Sequence, residues 1–320
     1  MPAEEPKGQH FVHRAYLEGF QDPELEKEGK PALWVYMPGK SPFPQRPERV
    51  AKRNYYYCYE REEQRQFEAE HSLQELEDAA MPTLHQLRSR RFDLSSDDRL
   101  TFAGYIALSH VRVPTFQRSV DRVANLAQAW QLEMVVRDDR ALQWVAQKFS
   151  EETGEQVDPE ELKRRLTGGS VFLEQTNRGW SLQQMFKAML TLQLVIFRMT
   201  WTFVLAPDND PGFLTSDNPV SLFDPLMGPA RGIGFASSRA AHFSFPISRD
   251  MCLVATHGKA PYTSHVKPST VRAMNKANIT RADTQIYAPF NSAKIQKIVD
   301  DVVLPRKRRV LIQKGRVVEE

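Results

Sequence analysis

The sequence predicts an α+β fold, in which a mostly helical block packs against a largely antiparallel sheet. Between about residues 60 and 197, apolar side chains recur mainly at helical spacing, whereas most segments after residue 200 are short β-type runs. Turns rich in Asp, Asn, Pro and Gly separate these runs. We therefore expect the C-terminal strands to form the sheet, with the N-terminal strands as candidates to join it.

The N-terminal part combines short elements with one long predicted helix. Residues 9–20 carry a rough helical stripe, and strands are expected at 33–36 and 54–59, the second of them rich in tyrosine. Residues 60–91 favour a helix, because glutamates precede arginines along it and that order suits the helix dipole. Pro82 should break or kink this helix.

The middle of the chain is predicted to be helical. Ser95 and the three polar residues after it are typical of a helix start, and an apolar stripe then runs from Phe102 to Met134. Because Pro114 interrupts the stripe, the pattern predicts one core helix kinked near Val113 or two helices in succession. Further helices are predicted at 139–149, 158–168 and 181–197.

The period of the apolar pattern changes after residue 200. Strands are predicted at 200–205, 213–216, 242–247, 251–256 and 285–288. Helices are predicted at 269–281 and 293–303.

The chain has 320 residues, which is enough for one large domain or two. We expect residues 1–8 to be a flexible leader, 9–304 a single domain and 305–320 a basic tail. Two lobes that divide near residue 180 are the alternative. The tail carries four consecutive basic residues that can bind nucleic acid or simply remain solvated: Arg306, Lys307, Arg308 and Arg309.

Composition points to a soluble cytoplasmic protein. Hydrophobic residues make up 41% of the chain, charged residues 26%, and the net charge of +3 argues against a strongly charged partner across the whole surface. Cys58 and Cys252 stand far apart, which fits a reducing compartment. The most apolar run, 185–206, contains Lys187 and Arg198 and is too short between them to cross a bilayer.

The strongest candidate site is the polar turn that begins at Ser216, where Asp217, Asn218 and Pro219 follow a predicted strand. Pro219 forces Asn218 out of the helical region, so a hydroxyl, a carboxylate and an amide are held at a strand end. We pair Asp217 with His10 as candidate catalytic residues, with His10 exchanging a proton and Asp217 either orienting it or binding a metal. The alternative is structural, with Asp217 capping a turn and His10 anchoring a helix start.

Three further residues are candidates for substrate binding besides Ser216 and Asn218. Arg112 can bind a phosphate or carboxylate, or it can pair with Asp217 and hold a helix to the sheet. Asn275 and Asn278 are three residues apart, so they share a helix face and can contact a ligand or the backbone.

His10 and His13 are also three apart, but the sequence identifies no third metal ligand among Glu68, Glu70 and Asp217. We therefore assign no metal site. No cofactor-binding motif is identified either, and the cofactor, if any, stays open.

Several of these pieces together resemble a bacterial family known as domain of unknown function 4238. Its motifs are similar to four stretches of this chain: Gln9-His10-Phe11-Val12, Arg112-Val113-Pro114, Ser216-Asp217-Asn218-Pro219 and Asn275 to Tyr287. His13 stands where the family commonly has proline. The resemblance implies candidate positions and no established activity.

Two functions follow as hypotheses. In the first, the chain is a hydrolase of an anionic, phosphate-containing substrate, with His10, Asp217 and Arg112 in one open cleft. In the second, it is a non-catalytic ligand-binding, nucleic-acid-binding or regulatory protein in which Ser216 to Pro219 is structural. The residues alone do not decide between an enzyme and a binding protein, and they give no oligomeric state or pathway.

Overall fold

The computed structural model describes residues 7–61, 64–168, 170–172, 178–208, 210–224, 226, 238–302, 310–313 and 316–319. It confirms the α+β class. Its helices are α1 Arg14–Leu17, α2 Pro23–Lys27, α3 Glu68–Arg88, α4 Ser96–Val111, α5 Pro114–Arg137, α6 Asp139–Thr153, α7 Pro159–Gly168, α8 Arg178–Arg198, α9 Pro268–Arg281 and α10 Ala293–Asp301. Its strands are β1 Gly8–His10, β2 Leu33–Met37, β3 Lys40–Gln45, β4 Lys52–Asn54, β5 Tyr59–Arg61, β6 Gln64–Gln66, β7 Ser170–Phe172, β8 Thr200–Leu205, β9 Thr215–Ser216, β10 Ser221–Phe223, β11 His242–Ser248, β12 Met251–Thr256, β13 Thr263–His265, β14 Ile286–Ala288, β15 Val310–Gln313 and β16 Arg316–Glu319.

The chain divides into two compact units, and two of the three divisions fall within α5 and α8. The first unit contains Met1–Gln117 and Leu182–Pro305, and the second contains Arg118–Ser181 and Arg306–Glu320. The single domain predicted at 9–304 stays a prediction.

Two larger sheets lie in the first unit, besides the two-stranded pairs β1–β4 and β5–β6. One has the strand order β10-β11-β12-β8-β13 and is antiparallel except for the β13–β8 pair. The other has the order β3-β2-β14-β9 and is antiparallel throughout. Of the N-terminal strands, β2 and β3 therefore join C-terminal strands as expected, but they do so in a separate sheet, whereas β1, β4, β5 and β6 pair among themselves.

The core of the first unit is built around α4, whose side chains are buried over most of its circumference. Ser95 and Asp98 form a reciprocal capping box at its start. On the inner face, Phe102 packs edge-on against Trp201 and Phe245, at centroid distances of 6.2 and 6.5 Å. These aromatic contacts join α4 to β8 and β11, and they fix the position of Arg112 at the C-terminal end of the helix.

The second unit contains most of α5, then α6 and α7, and a small sheet of order β16-β15-β7. The Asp138 side chain caps α6 by accepting hydrogen bonds from the backbone N–H groups of Arg140 and Ala141. Gly154 ends the helix with a φ of 73°. Part of the predicted basic tail thus forms β15 and β16, while the basic run 306–309 lies outside the residues that the structure describes.

Two N-terminal elements differ from the prediction. The expected strand at 54–59 is instead the end of β4 followed by a turn, because the N–H of Tyr57 donates to the buried Gln9 side chain rather than to a strand. The helix expected at 60–91 begins only at Glu68, after the β5–β6 hairpin. Pro82 does not end α3, since the helix continues to Arg88 with Pro82 on an exposed position.

Among the helices that the structure describes, none has the length and the apolar character needed to cross a membrane.

Candidate functional site

A group of ionisable side chains in the first unit forms what we call the imidazole cluster: His10, His13, Glu70, Glu77 and Arg112. Each comes from an element end or from the inner face of a helix. His10 is the last residue of β1, His13 is the N-cap of α1, and Arg112 is the C-cap of α4. Glu70 and Glu77 lie seven residues apart on α3, which places them on the same face of that helix.

Arg112 is the centre of this cluster. Its side chain is only 3% exposed, and its guanidinium donates to Glu77, to the backbone carbonyl of His10 and, over 3.1 Å, to the Tyr57 hydroxyl. Burial disfavours the charged guanidinium, but the Glu77 carboxylate outweighs it and raises the pKa of Arg112 above its ordinary value. A buried arginine must be paired, and its partner is Glu77 rather than Asp217, which was one of the two alternatives that the sequence left open for it.

The two imidazoles are held in their neutral form. Burial lowers the pKa of His13 to about 4, against the opposing pull of the Glu77 carboxylate. Its Nδ1 lies 3.3 Å from the Tyr105 hydroxyl and 3.9 Å from Glu77 Oε1. Burial also lowers the pKa of His10, with Lys52 and Arg112 acting in the same direction. His13 retains 18% side-chain exposure, so one imidazole of the cluster reaches the surface.

The low pKa of His13 predicts a specific dependence of stability on pH. Unfolded His13 binds a proton below about 6.5, whereas folded His13 stays neutral down to about 4, so the folded state loses stability as the pH falls through this window. The loss attributable to His13 is on the order of 2–3 kcal/mol. We expect the difference in unfolding free energy between wild type and His13→Asn to shrink by this amount from pH 7 to pH 4. A difference that stays constant over this range would contradict the prediction.

Asp217 occupies a different environment, which we call the Asp217 cluster. Its Oδ1 accepts from the N–H of Asp283 at 2.7 Å. Its Oδ2 accepts from the N–H and hydroxyl of Thr284, both at 2.7 Å, and from the N–H of Gln285 at 2.9 Å. Burial raises the pKa of Asp217 to about 6 despite these donors. The side chain thus fastens the end of β9 to the segment between α9 and β14.

The other residues of the Ser-Asp-Asn-Pro motif also bind the protein itself. Ser216 Oγ donates to the carbonyl of Asn218 and accepts from the N–H of that residue, at 3.0 and 3.1 Å. The Asn218 amide donates to the carbonyl of Arg281 at 2.9 Å. The motif is therefore a closed turn that is tied to the C-terminal end of α9.

Asn275 and Asn278 hold the segment that leads into this turn. Asn275 donates to the carbonyl of Gly212 at 2.9 Å and accepts from the N–H of Leu214 at 3.1 Å, and Asn278 donates to the carbonyl of Leu214 at 3.1 Å. These side-chain amides replace a neighbouring strand, which is why β9 is shorter than the strand predicted at 213–216. Gly212 suits this path, because its φ is 98° and a Cβ there would lie 2.2 Å from the carbonyl oxygen of Arg249.

The structure brings together some of the predicted site residues and not others. His10 and Arg112 meet in the imidazole cluster, whereas no hydrogen bond or ion pair joins Asp217 to either of them within the described part of the chain. The catalytic pairing of His10 with Asp217 stays a prediction, and Arg112 has no direct access to a ligand. Sequence reasoning missed Glu77, although its place in the apolar stripe of α3, seven residues after Glu70, is the signal that singles it out.

No set of three His, Cys, Asp or Glu side chains arranged to hold a metal ion is found in the part of the chain that the structure describes. A shallow, open depression of about 930 Å³ lies beside the β2–β3 turn and α10. It is lined by Gly39, Lys40, Ser41, Pro42, Asn291, Ala293, Gln296, Lys297, Asp300 and Asp301, none of which is a predicted site residue.

Neither the curated proteins nor the solved structures contain a match to this chain. A family model described as Protein of unknown function (DUF4238) matches residues 8–290. That range includes both the imidazole cluster and the Asp217 cluster. The chain belongs to the DUF4238 family.

Proposed function

We propose that this chain is a hydrolase of a small anionic, phosphate-containing molecule, with His13 as the proton acceptor. The observation that supports this best is the row of groups from buried Arg112 through Glu77 to the partly exposed imidazole of His13. Because Nδ1 of His13 faces Tyr105 and Glu77, Nε2 is the nitrogen left for a reacting group. A carboxylate behind a histidine orients the ring and stabilises the imidazolium that forms.

The reaction that fits these groups is the attack of water on phosphorus. Nε2 of His13 takes a proton from the water as the new O–P bond forms, and the bond from phosphorus to the leaving oxygen breaks. The leaving oxygen needs a proton, and Glu70 is the candidate donor, because burial raises its pKa and favours the protonated carboxyl. His10 lies beside this centre, electrostatically coupled to His13.

We assign recognition of the anion to Lys52 instead of Arg112. Lys52 is exposed and lies directly opposite His10 in the antiparallel pair of strands β1 and β4. Side chains of directly opposed residues project from the same face of a sheet, so the ammonium group accompanies the His10 imidazole. An exposed cation at this place attracts a phosphate-containing substrate, whereas Arg112 contributes from beneath as a fixed buried charge.

The test is the hydrolysis of p-nitrophenyl phosphate and bis(p-nitrophenyl) phosphate by the full chain. We expect kcat/KM to show no acid limb between pH 6.5 and about 5, because the pKa of His13, the proton acceptor, is about 4. His13→Asn should lower kcat/KM by ~100-fold or more. Lys52→Gln should raise KM with little change in kcat. The matched control is His265→Asn, which alters an exposed histidine of β13 and should leave turnover unchanged.

Two outcomes would contradict the hydrolase. One is the absence of turnover of either ester by the folded chain, and the other is an acid limb near pH 6.5, the ordinary imidazole pKa. A second candidate is a non-catalytic anion-binding protein, which the fully bonded state of Asp217 favours. It is supported if inorganic phosphate shifts the NMR signals of His10 and His13 while neither ester is hydrolysed.

A further inference from the structure

One face of α5 carries exposed apolar side chains at coiled-coil spacing. Val123, Ala127, Trp130 and Met134 are separated by four, three and four residues, and we call these four residues the α5 seam. At about 100° per residue they fall within a stripe roughly 60° wide. Val123 is 67% exposed, Trp130 59% and Met134 63%, and Ala127 is exposed as well. All four lie in the second unit.

The opposite face of the same helix is buried. Ala129 is fully buried and Val136 is 7% exposed, and both project on the far side of the helix from the seam. A helix with apolar residues on two faces needs a partner on each, and among the described residues only the face with Ala129 and Val136 is covered. Surface apolar residues scattered singly need no explanation, but four in register on one helix mark an interaction surface.

We propose that the α5 seam is the interface of a homodimer in which two copies of α5 pack antiparallel. In a two-fold symmetric interface, each residue meets a partner residue and the reverse contact repeats. Antiparallel pairing about the middle of the seam places Trp130 opposite Ala127 of the second copy and Val123 opposite Met134. Large residues then face small ones, whereas parallel pairing would set Trp130 against Trp130 and Ala127 against Ala127.

The size and charge of the seam also fit a second copy. Its three large side chains expose roughly 350 Å² per chain, since a large side chain offers about 150–250 Å². Two copies would therefore bury roughly 700 Å² from the seam alone, and the flanking positions would have to supply the rest of the roughly 1,000 Å² that a specific interface needs. Glu133 and Arg137 flank the seam and form an ion pair with each other, so the charges of these two side chains offset one another beside it.

Sedimentation velocity of the full chain, from about 1 to 200 μM, tests the dimer. We expect a reversible monomer–dimer equilibrium in the wild type. Trp130→Glu should weaken it by ~100-fold or more, because an aromatic anchor at the centre of an interface carries most of its energy. Trp144 is the matched control: it is also tryptophan, lies on α6 of the same unit and is 62% exposed, so Trp144→Glu should dimerise like the wild type.

Disulfide cross-linking tests the orientation. Cys58 and Cys252 are both buried, so they give little background. The double variant Val123→Cys with Met134→Cys should form a covalent dimer on oxidation, and Val123→Cys alone should not, because antiparallel packing separates the two copies of residue 123. A wild type that stays monomeric up to 200 μM, a Trp130→Glu dimer of unchanged strength, or efficient cross-linking of Val123→Cys alone would overturn the proposal.

Discussion

Replacing Asp217 by alanine is expected to lower the free energy of unfolding by about 4–5 kcal/mol, because four hydrogen-bond donors lose their acceptor inside the protein. Three of them are backbone N–H groups at 283–285, and the fourth is the Thr284 hydroxyl. The methyl group of alanine can accept from none of them, and the site is closed to solvent, since Asp217 is 1% exposed. Chemical denaturation monitored by tryptophan fluorescence measures the loss.

Two further variants keep this experiment informative if the alanine variant does not fold. Asp217→Asn retains an oxygen for the three donors on Oδ2 but turns its own amide N–H toward the N–H of Asp283, so we expect a loss of about 2 kcal/mol. Thr284→Val removes one donor and should cost about 1 kcal/mol. Asp250→Ala is the control, because that side chain is 57% exposed and its loss should change stability by less than about 1 kcal/mol. Equal denaturation midpoints for Asp217→Ala and Asp250→Ala would show that the Asp217 cluster does not hold the fold.

The outcome for Asp217 illustrates what local sequence can predict. The polar turn beginning at Ser216 was expected from Asp, Asn and Pro in succession, since these residues form turns through their own side chains. Its partners at 283–285 lie more than sixty residues away and have no local signature, because two of the three positions contribute only backbone N–H groups. Tertiary contacts of this kind depend on which strand pairs with β14, and that pairing cannot be read from a single sequence.

The predicted element boundaries were wrong where tertiary contacts replaced regular strand pairing. The tyrosine-rich stretch at 54–59 has strand composition, but the Gln9 side chain captures the N–H of Tyr57 and holds a turn there. Similarly, Asn275 and Asn278 shared a face as the three-residue spacing predicted, yet they bind backbone at 212–214 in place of a strand. In the imidazole cluster, the burial of Arg112 at a helix end could be foreseen from the sequence. Its pairing with Glu77 instead of Asp217 could not, because that pairing depends on the packing of α3 against α4.

Replacing Glu77 by alanine is expected to destabilise the protein by about 3–5 kcal/mol, because it leaves the Arg112 guanidinium buried without a counter-charge. Arg112 would keep its hydrogen bonds to Tyr57 and to the His10 carbonyl, but neither acceptor is ionised. Arg112→Met should cost a similar amount by leaving Glu77 unpaired. The double variant should recover part of the loss, since two uncharged side chains need no desolvated partner.

A double-mutant cycle separates this coupling from the individual effects of the two substitutions. We expect a coupling energy of about 2–3 kcal/mol for Arg112 and Glu77, and close to zero, at most about 1 kcal/mol, for the surface pair Lys27 and Glu24. The surface pair has a comparable contact, 2.7 Å, but both side chains are more than 70% exposed, so the comparison isolates burial as the cause. If the Arg112 and Glu77 losses simply add, the ion pair does not hold α3 to α4. The proposed function would then lose the buried carboxylate that orients His13.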